Sequence, residues 1–306
     1  MITIKADNQE VSPDGKGGVR TSAFPKIELE ADMKDIVCYD DTLRPEGFVR
    51  SITVRNGGPL KISGVTFHAF SSDGILENAP QYGPFDLEAF DEVSFDGSSL
   101  RPDGRKLARL GNEQEAVIRF EITRPSEEQG KDEIIASLER TVRILAYDEW
   151  AGAVENPESL VGFIQPDHPR LSEIITKAGA LLKLWTGDGT FDGYLSGDQN
   201  RVITQASAFY IALRDLGITY EHSAPGFGMQ PGRVRFADEL LDGRLAGNLD
   251  LALIFASLFE SSGIYPILFQ NDRHFFVGFH LGQSFGETGF ISDPASVQKY
   301  ISDGIG

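Results

Sequence analysis

Two hydrophobic periods divide the chain. Between about residues 26 and 146 apolar and polar positions alternate. The run Phe48-Val-Arg-Ser-Ile-Thr-Val-Arg55 alternates, Asn56-Gly-Gly-Pro59 offers a turn, and Leu60-Lys-Ile-Ser-Gly-Val-Thr-Phe67 resumes the pattern. Glu115-Ala-Val-Ile-Arg-Phe-Glu-Ile-Thr123 and Leu138-Glu-Arg-Thr-Val-Arg-Ile-Leu-Ala146 repeat it. A period of two puts successive side chains on opposite faces of a strand. Short strands separated by turn residues predict an antiparallel, immunoglobulin-like β-sandwich. His68 stands alone on one apolar strand and reads as a satisfied structural histidine.

Ala146-Tyr-Asp-Glu-Trp-Ala-Gly152 and Glu155-Asn-Pro157 mark a change of composition and place a boundary at 150–157. Beyond it the spacing becomes helical. Leu171, Ile174, Ile175, Ala178, Leu181 and Leu182 predict a helix over 169–185, with Pro169 in its first turn. A second helix is expected over 198–216, capped by Asp198 and stopped by Gly217. The third, 248–262, carries Leu249, Leu251, Leu253, Ile254, Phe255, Leu258 and Phe259. With no polar face it should be buried on all sides. Three β runs follow, at 264–270, 274–281 and 288–292. The expected organisation is therefore a flexible arm (1–25), a β-sandwich (26–150) and an α+β domain (157–306) that packs one buried helix on a small antiparallel sheet. The last residues read as a helix barely begun, as in a truncated chain. Trp150 and Trp185 are the expected core anchors at the domain junction.

Composition narrows the function. The chain has 306 residues with 28 basic and 46 acidic side chains, a formal charge of −18. That field repels a phosphate backbone, so direct nucleic-acid binding is not expected. No apolar run approaches the ~20 residues of a bilayer span. The N-terminus lacks the order of a secretory signal, which points to the cytoplasm. Cys38 is the single cysteine, which excludes internal disulfides and Cys-rich zinc sites. No Gly-x-x-x-x-Gly-Lys-Ser/Thr occurs, so there is no phosphate-cradling loop.

The chemistry concentrates late in the chain. Gly247-Asn-Leu-Asp-Leu-Ala-Leu-Ile-Phe-Ala-Ser-Leu-Phe-Glu-Ser-Ser-Gly-Ile-Tyr-Pro266 is followed by Arg273-His-Phe-Phe-Val-Gly-Phe279 and Ile291-Ser-Asp-Pro294. This order resembles the transglutaminase-like cysteine-enzyme superfamily. There a nucleophile opens a buried helix, a histidine opens the next strand and an aspartate ends the strand after. A helix N-terminus stabilises a thiolate, a histidine takes its proton and a carboxylate fixes the histidine tautomer. The resemblance places His274 in the base position, Asp293 in the orienting position and Asn248 in the nucleophile position. An asparagine amide is not an activated nucleophile, so the chain reads as a remnant triad. Two plainer alternatives stand beside this: Asn248 as a helix N-cap, and His274 as a structural histidine. The ligand groove is expected beside Asp250, Arg244 and Phe276, with no metal and no cofactor.

A longer series extends the likeness: Tyr147-Asp-Glu-Trp150, Gln165-Pro-Asp-His-Pro169, Gly187-Asp-Gly-Thr-Phe-Asp-Gly-Tyr194, Ser196-Gly-Asp198 and Leu245-Ala-Gly-Asn-Leu-Asp-Leu-Ala252. It is similar to the N-terminal region of large bacterial superfamily I helicase–nuclease proteins linked to defence against foreign DNA. In these a β domain and a transglutaminase-like domain precede the motor and a Vsr-like nuclease. The resemblance covers residues 140–300 and the β half in outline. It implies a non-catalytic accessory or sensor region whose partner is a protein, a peptide or another part of the same polypeptide. The alternatives are a cysteine-type peptidase, amidase or acyltransferase, and a structural spacer.

Other patterns carry less. Gly282-Gln-Ser-Phe-Gly286 has neither the following helix nor the later histidine of a nucleophile elbow. Asp188-Gly-Thr-Phe-Asp-Gly193 lacks the bidentate Glu of a calcium loop. Arg233, Arg235 and Arg244 read as intramolecular ion-pair partners. His280 is expected at a solvent-exposed strand end.

Overall fold

The computed structural model describes residues 26–45, 47–76, 81–126, 131–154, 157–222, 231–271, 274–282 and 291–302. The arm expected over 1–25 lies outside the described residues. The chain is α+β and divides into two compact units, at Tyr147/Asp148.

The first unit contains β1 (Ile27–Met33), β2 (Ile36–Val37), β3 (Val49–Asn56), β4 (Ile62–Ser71), β5 (Gln81–Leu87), β6 (Glu92–Asp96), a one-turn helix α1 (Gly104–Leu107), β7 (Gln114–Pro125) and β8 (Asp132–Ile144). One sheet has the order β1-β3-β6 and the other β2-β8-β7-β4-β5. All neighbours are antiparallel except β2 and β8, which run parallel. The chain thus changes sheets between β1 and β2. Alternation sends Leu29, Ile52 and Val54 from one sheet and Phe67, Phe120 and Ile122 from the other into a single core. Phe67 and Phe95 stack across it at 5.8 Å.

Two polar features organise this unit. Asn56 is fully buried at the turn read from the sequence. Its Nδ2 donates to the Leu60 and Glu88 carbonyls at 2.7 and 2.9 Å, and its Oδ1 accepts from Gly58 N at 3.0 Å. Near β2, Asp41 accepts from Cys38 N at 2.9 Å and pairs with Lys34, while Asp40 pairs with Arg44. The Cys38 thiol is buried. Desolvation, then the charges of Asp41 and Asp40, push its pKa far above the ordinary range. His68 meets Thr123 Oγ1 at 3.1 Å, which fits the structural role expected for it.

The second unit begins earlier than the sequence suggests. β9 (Glu149–Trp150) pairs antiparallel with β11 (Gly232–Arg233), so residues before 157 belong to this fold. Between and after them come α2 (Leu171–Thr186), α3 (Gln199–Arg214), β10 (Thr219–Tyr220), α4 (Ala237–Gly243), β12 (Leu245–Ala246), α5 (Asn248–Ser261), β13 (Pro266–Gln270), β14 (Phe275–Phe279) and α6 (Pro294–Ser302). One cap is the one the sequence predicts: Asp198 accepts from Asn200 N at 2.9 Å to start α3. Gly187, at φ 82°, ends α2 in the left-handed conformation that glycine adopts freely. Helix α3 packs against α2 and α5, and α5 packs on the β13–β14 hairpin.

Five expectations are corrected. Trp150 is buried against Phe275, but Trp185 is 45% exposed, one turn past the last core residue Leu182 of α2. His280 is buried rather than exposed: its N–H donates to Tyr265 O at 3.1 Å and its carbonyl accepts from Tyr194 Oη at 2.8 Å. Helix α5 is not enclosed on every side, because Leu251 and Phe255 are only partly buried. The β run expected over 288–292 falls mostly outside the described residues. Its described end, Ile291 and Ser292, is not strand, and α6 follows for nine residues rather than barely beginning.

Candidate functional site

The site is built at the N-terminus of α5. Gly247, extended at φ −82° and ψ 177°, is the cap residue. Asp250 completes the cap from inside the first turn, accepting from Gly247 N at 2.9 Å. The same buried carboxylate accepts from Arg235 N at 2.9 Å and Arg235 Nη1 at 3.2 Å. Asp250 is therefore a structural staple and not a groove residue as the sequence suggested. Asn248 is also not the cap; it is the first helical residue, which releases its side chain for another partner.

That partner is His274. Asn248 Nδ2 stands 3.2 Å from His274 Nδ1, across 26 residues of sequence. An amide N–H can donate to Nδ1 when the neutral imidazole carries its proton on Nε2. The backbone of His274 is fixed separately, its N–H donating to Asn271 Oδ1 at 2.8 Å. Two of the three residues proposed as a triad are thus brought together by helix and strand ends.

The third is not brought to them. Asp293 is exposed and caps α6, its Oδ2 accepting from Ser296 N at 2.8 Å. The hydrogen bonds from Ser296 hold its carboxyl below the usual range. Among the described residues it makes neither a hydrogen bond nor an ion pair with His274.

Asn248 also lines a cleft of about 530 Å³ between α3, α5 and β14. Ile203, Ser207 and Tyr210 of α3 face Leu251 and Phe255 of α5, and Phe276 of β14 contributes a ring that is 49% exposed. Tyr210 and Phe255 are stacked, with centroids 6.3 Å apart. None of the described lining residues is charged. Phe276 was expected here; Asp250 and Arg244 do not line the cleft. Arg244 ends α4 and donates through Nη1 to the Leu216 carbonyl at 3.1 Å. The α3 wall was missed. Its signal is a second apolar stripe, Ile203, Ala206 and Tyr210, beside the core stripe Val202, Phe209 and Leu213.

The remaining candidates are structural. Arg233 pairs with Asp148 and Arg235 with Glu221, at 2.8 and 2.7 Å. Asp188 accepts from Thr190 N at 3.0 Å and pairs with Arg201. No group of three or more metal-ligating side chains occurs among the described residues. Most of Gly282–Gly286 lies outside the described residues. Among them, no helix is long and apolar enough to cross a membrane.

Comparison with known proteins adds little. No family description matches the chain, and no curated protein does. Among solved structures, 42% of the chain is similar to the CARDB domain of a Pyrococcus furiosus protein solved with di-metal ions. The match covers 99% of that domain at 13% identity, with a TM-score of 0.26.

Proposed function

We propose that the chain is a non-catalytic interaction region of a cytoplasmic helicase–nuclease that defends bacteria against foreign DNA. In this reading the first unit is an immunoglobulin-like sandwich and the second a transglutaminase-like fold without a nucleophile. The observation that carries it is the Asn248–His274 hydrogen bond at the head of α5, opening onto a cleft whose described lining is uncharged. The pair keeps the helix-end and strand-start placement of a nucleophile and its base, while an amide occupies the reacting position. The cleft then serves recognition of a peptide, a protein or another part of the same polypeptide.

Asn248→Ala and His274→Ala in the full-length protein should leave the unfolding temperature nearly unchanged and lower protection against phage or plasmid entry. Full protection by both folded variants would defeat the reading.

One observation favours a second reading, an acyl-transfer or peptidase site with cysteine as its authentic residue. A side chain at position 248 reaches the imidazole from a helix N-terminus, where a thiol would be activated. Asn248→Cys should then react with iodoacetamide at a pH well below that of an ordinary thiol. A thiol that titrates like free cysteine, near 8.5, would reject this second reading.

A further inference from the structure

The cleft's chemistry specifies its occupant more closely than "a peptide". We infer that it takes a short unfolded segment that buries two large uncharged side chains and carries basic residues on either side. This inference rests on the reading of the cleft as a recognition site.

Three features support it. First, the described walls hold no charge, so an ionic group entering them would lose its hydration without a partner there. Aromatic and branched aliphatic side chains lose nothing there and gain contact with Tyr210, Phe255, Leu251 and Phe276. Second, the space is small. About 530 Å³ lies within the roughly 300–1,000 Å³ of a small-ligand pocket, enough for a few side chains. Third, the unit as a whole is acidic. Residues 148–306 contain twenty Asp and Glu against ten Lys and Arg. An apolar segment flanked by lysine or arginine is therefore drawn towards this unit, and one flanked by carboxylates is repelled. Neutral walls in an acidic unit separate the two requirements: the core of the ligand must be uncharged and its flanks positive.

Three capped fluorescent peptides test this on the whole chain by anisotropy. The first has a Phe-Ser-Leu core between lysine pairs. The second replaces the core with Ala-Ser-Ala, and the third replaces the lysines with glutamates. The first should bind, and the second should bind at least about tenfold more weakly, as loss of anchor side chains does. The third should be weaker at about 50 mM salt and approach the first at about 500 mM, where screening is strong. Ser207 is an exposed cleft-lining residue, so Ser207→Trp should fill the cleft and abolish binding while the unfolding temperature stays native. Tyr210→Ala is the complementary variant and should weaken binding without filling the space.

Equal affinity for the first two peptides would show attraction by charge alone and overturn the inference. Unchanged affinity in both folded variants, or no binding of any peptide, would overturn it as well. If that happens while Asn248→Ala and His274→Ala still lower protection, the ligand class is wrong and the recognition reading stands. If protection also stays intact, both fail.

Discussion

Gln205 shows how much one side chain can hold. It is fully buried on α3, and its Oε1 accepts from Asp192 N and Gly193 N at 3.0 and 3.1 Å while its Nε2 donates to Gly193 O at 3.1 Å. Gln205→Leu strips three backbone groups of their partner, each costing about 1–3 kcal/mol if left buried. Urea unfolding should show a loss of several kcal/mol; a loss below about 1 kcal/mol would mean that water replaces the amide. His280 gives a pH signature. Burial holds its pKa below the ordinary value, so the unfolded chain binds the proton more readily. Stability from this group is complete above about pH 6.5 and falls as pH drops towards the depressed value. Wild type should lose more stability than His280→Gln between pH 7.5 and 5.5. Equal losses would show that His280 is not the group responsible.

Elements were legible where one physical rule decided them. The turn at Asn56 and the cap Asp198 follow from local hydrogen bonding, and the structure has both. Errors arose where tertiary contacts chose between two local options. Asn248 satisfies the cap rule as a residue type, yet Gly247 takes the cap because Asp250 reaches back to it from within the helix. Asp293 follows a run with strand-like residues, yet it caps α6. Helix α5 looked fully buried because hydrophobicity does not distinguish a core face from a cleft wall. Within the first unit, the approach of Gly97 to β3 was invisible in the sequence. A Cβ there would lie 2.4 Å from the Val49 carbonyl oxygen, so Gly97→Ala must displace backbone. It should lower the unfolding temperature by several degrees, whereas Gly111→Ala, with open space around it, should not.

At the scale of the molecule, each unit owns a hydrophobic core. One cluster runs through the two sheets of the first, and others join α2, α3 and α5, and Trp150 to Phe275, in the second. A domain with its own core can fold alone. The segment 26–147 expressed by itself should therefore unfold cooperatively in urea, with dispersed amide signals. A molten spectrum would refute independent folding. The alternation of the β half made its unit visible in the sequence; the division fell a few residues away because the short pairing of β9 with β11 links residues about eighty positions apart.

The buried Cys38 has a practical consequence for studying all of this. The chain's single native thiol is shielded and held protonated, so maleimide reagents should pass it by in the folded protein. Any cysteine introduced on the surface then becomes a unique attachment point for a dye or spin label, without first removing a native residue. The cleft, the end of α5 and either unit can be fitted with reporters one at a time, and labelling of Cys38 itself becomes a clock for unfolding of the β half.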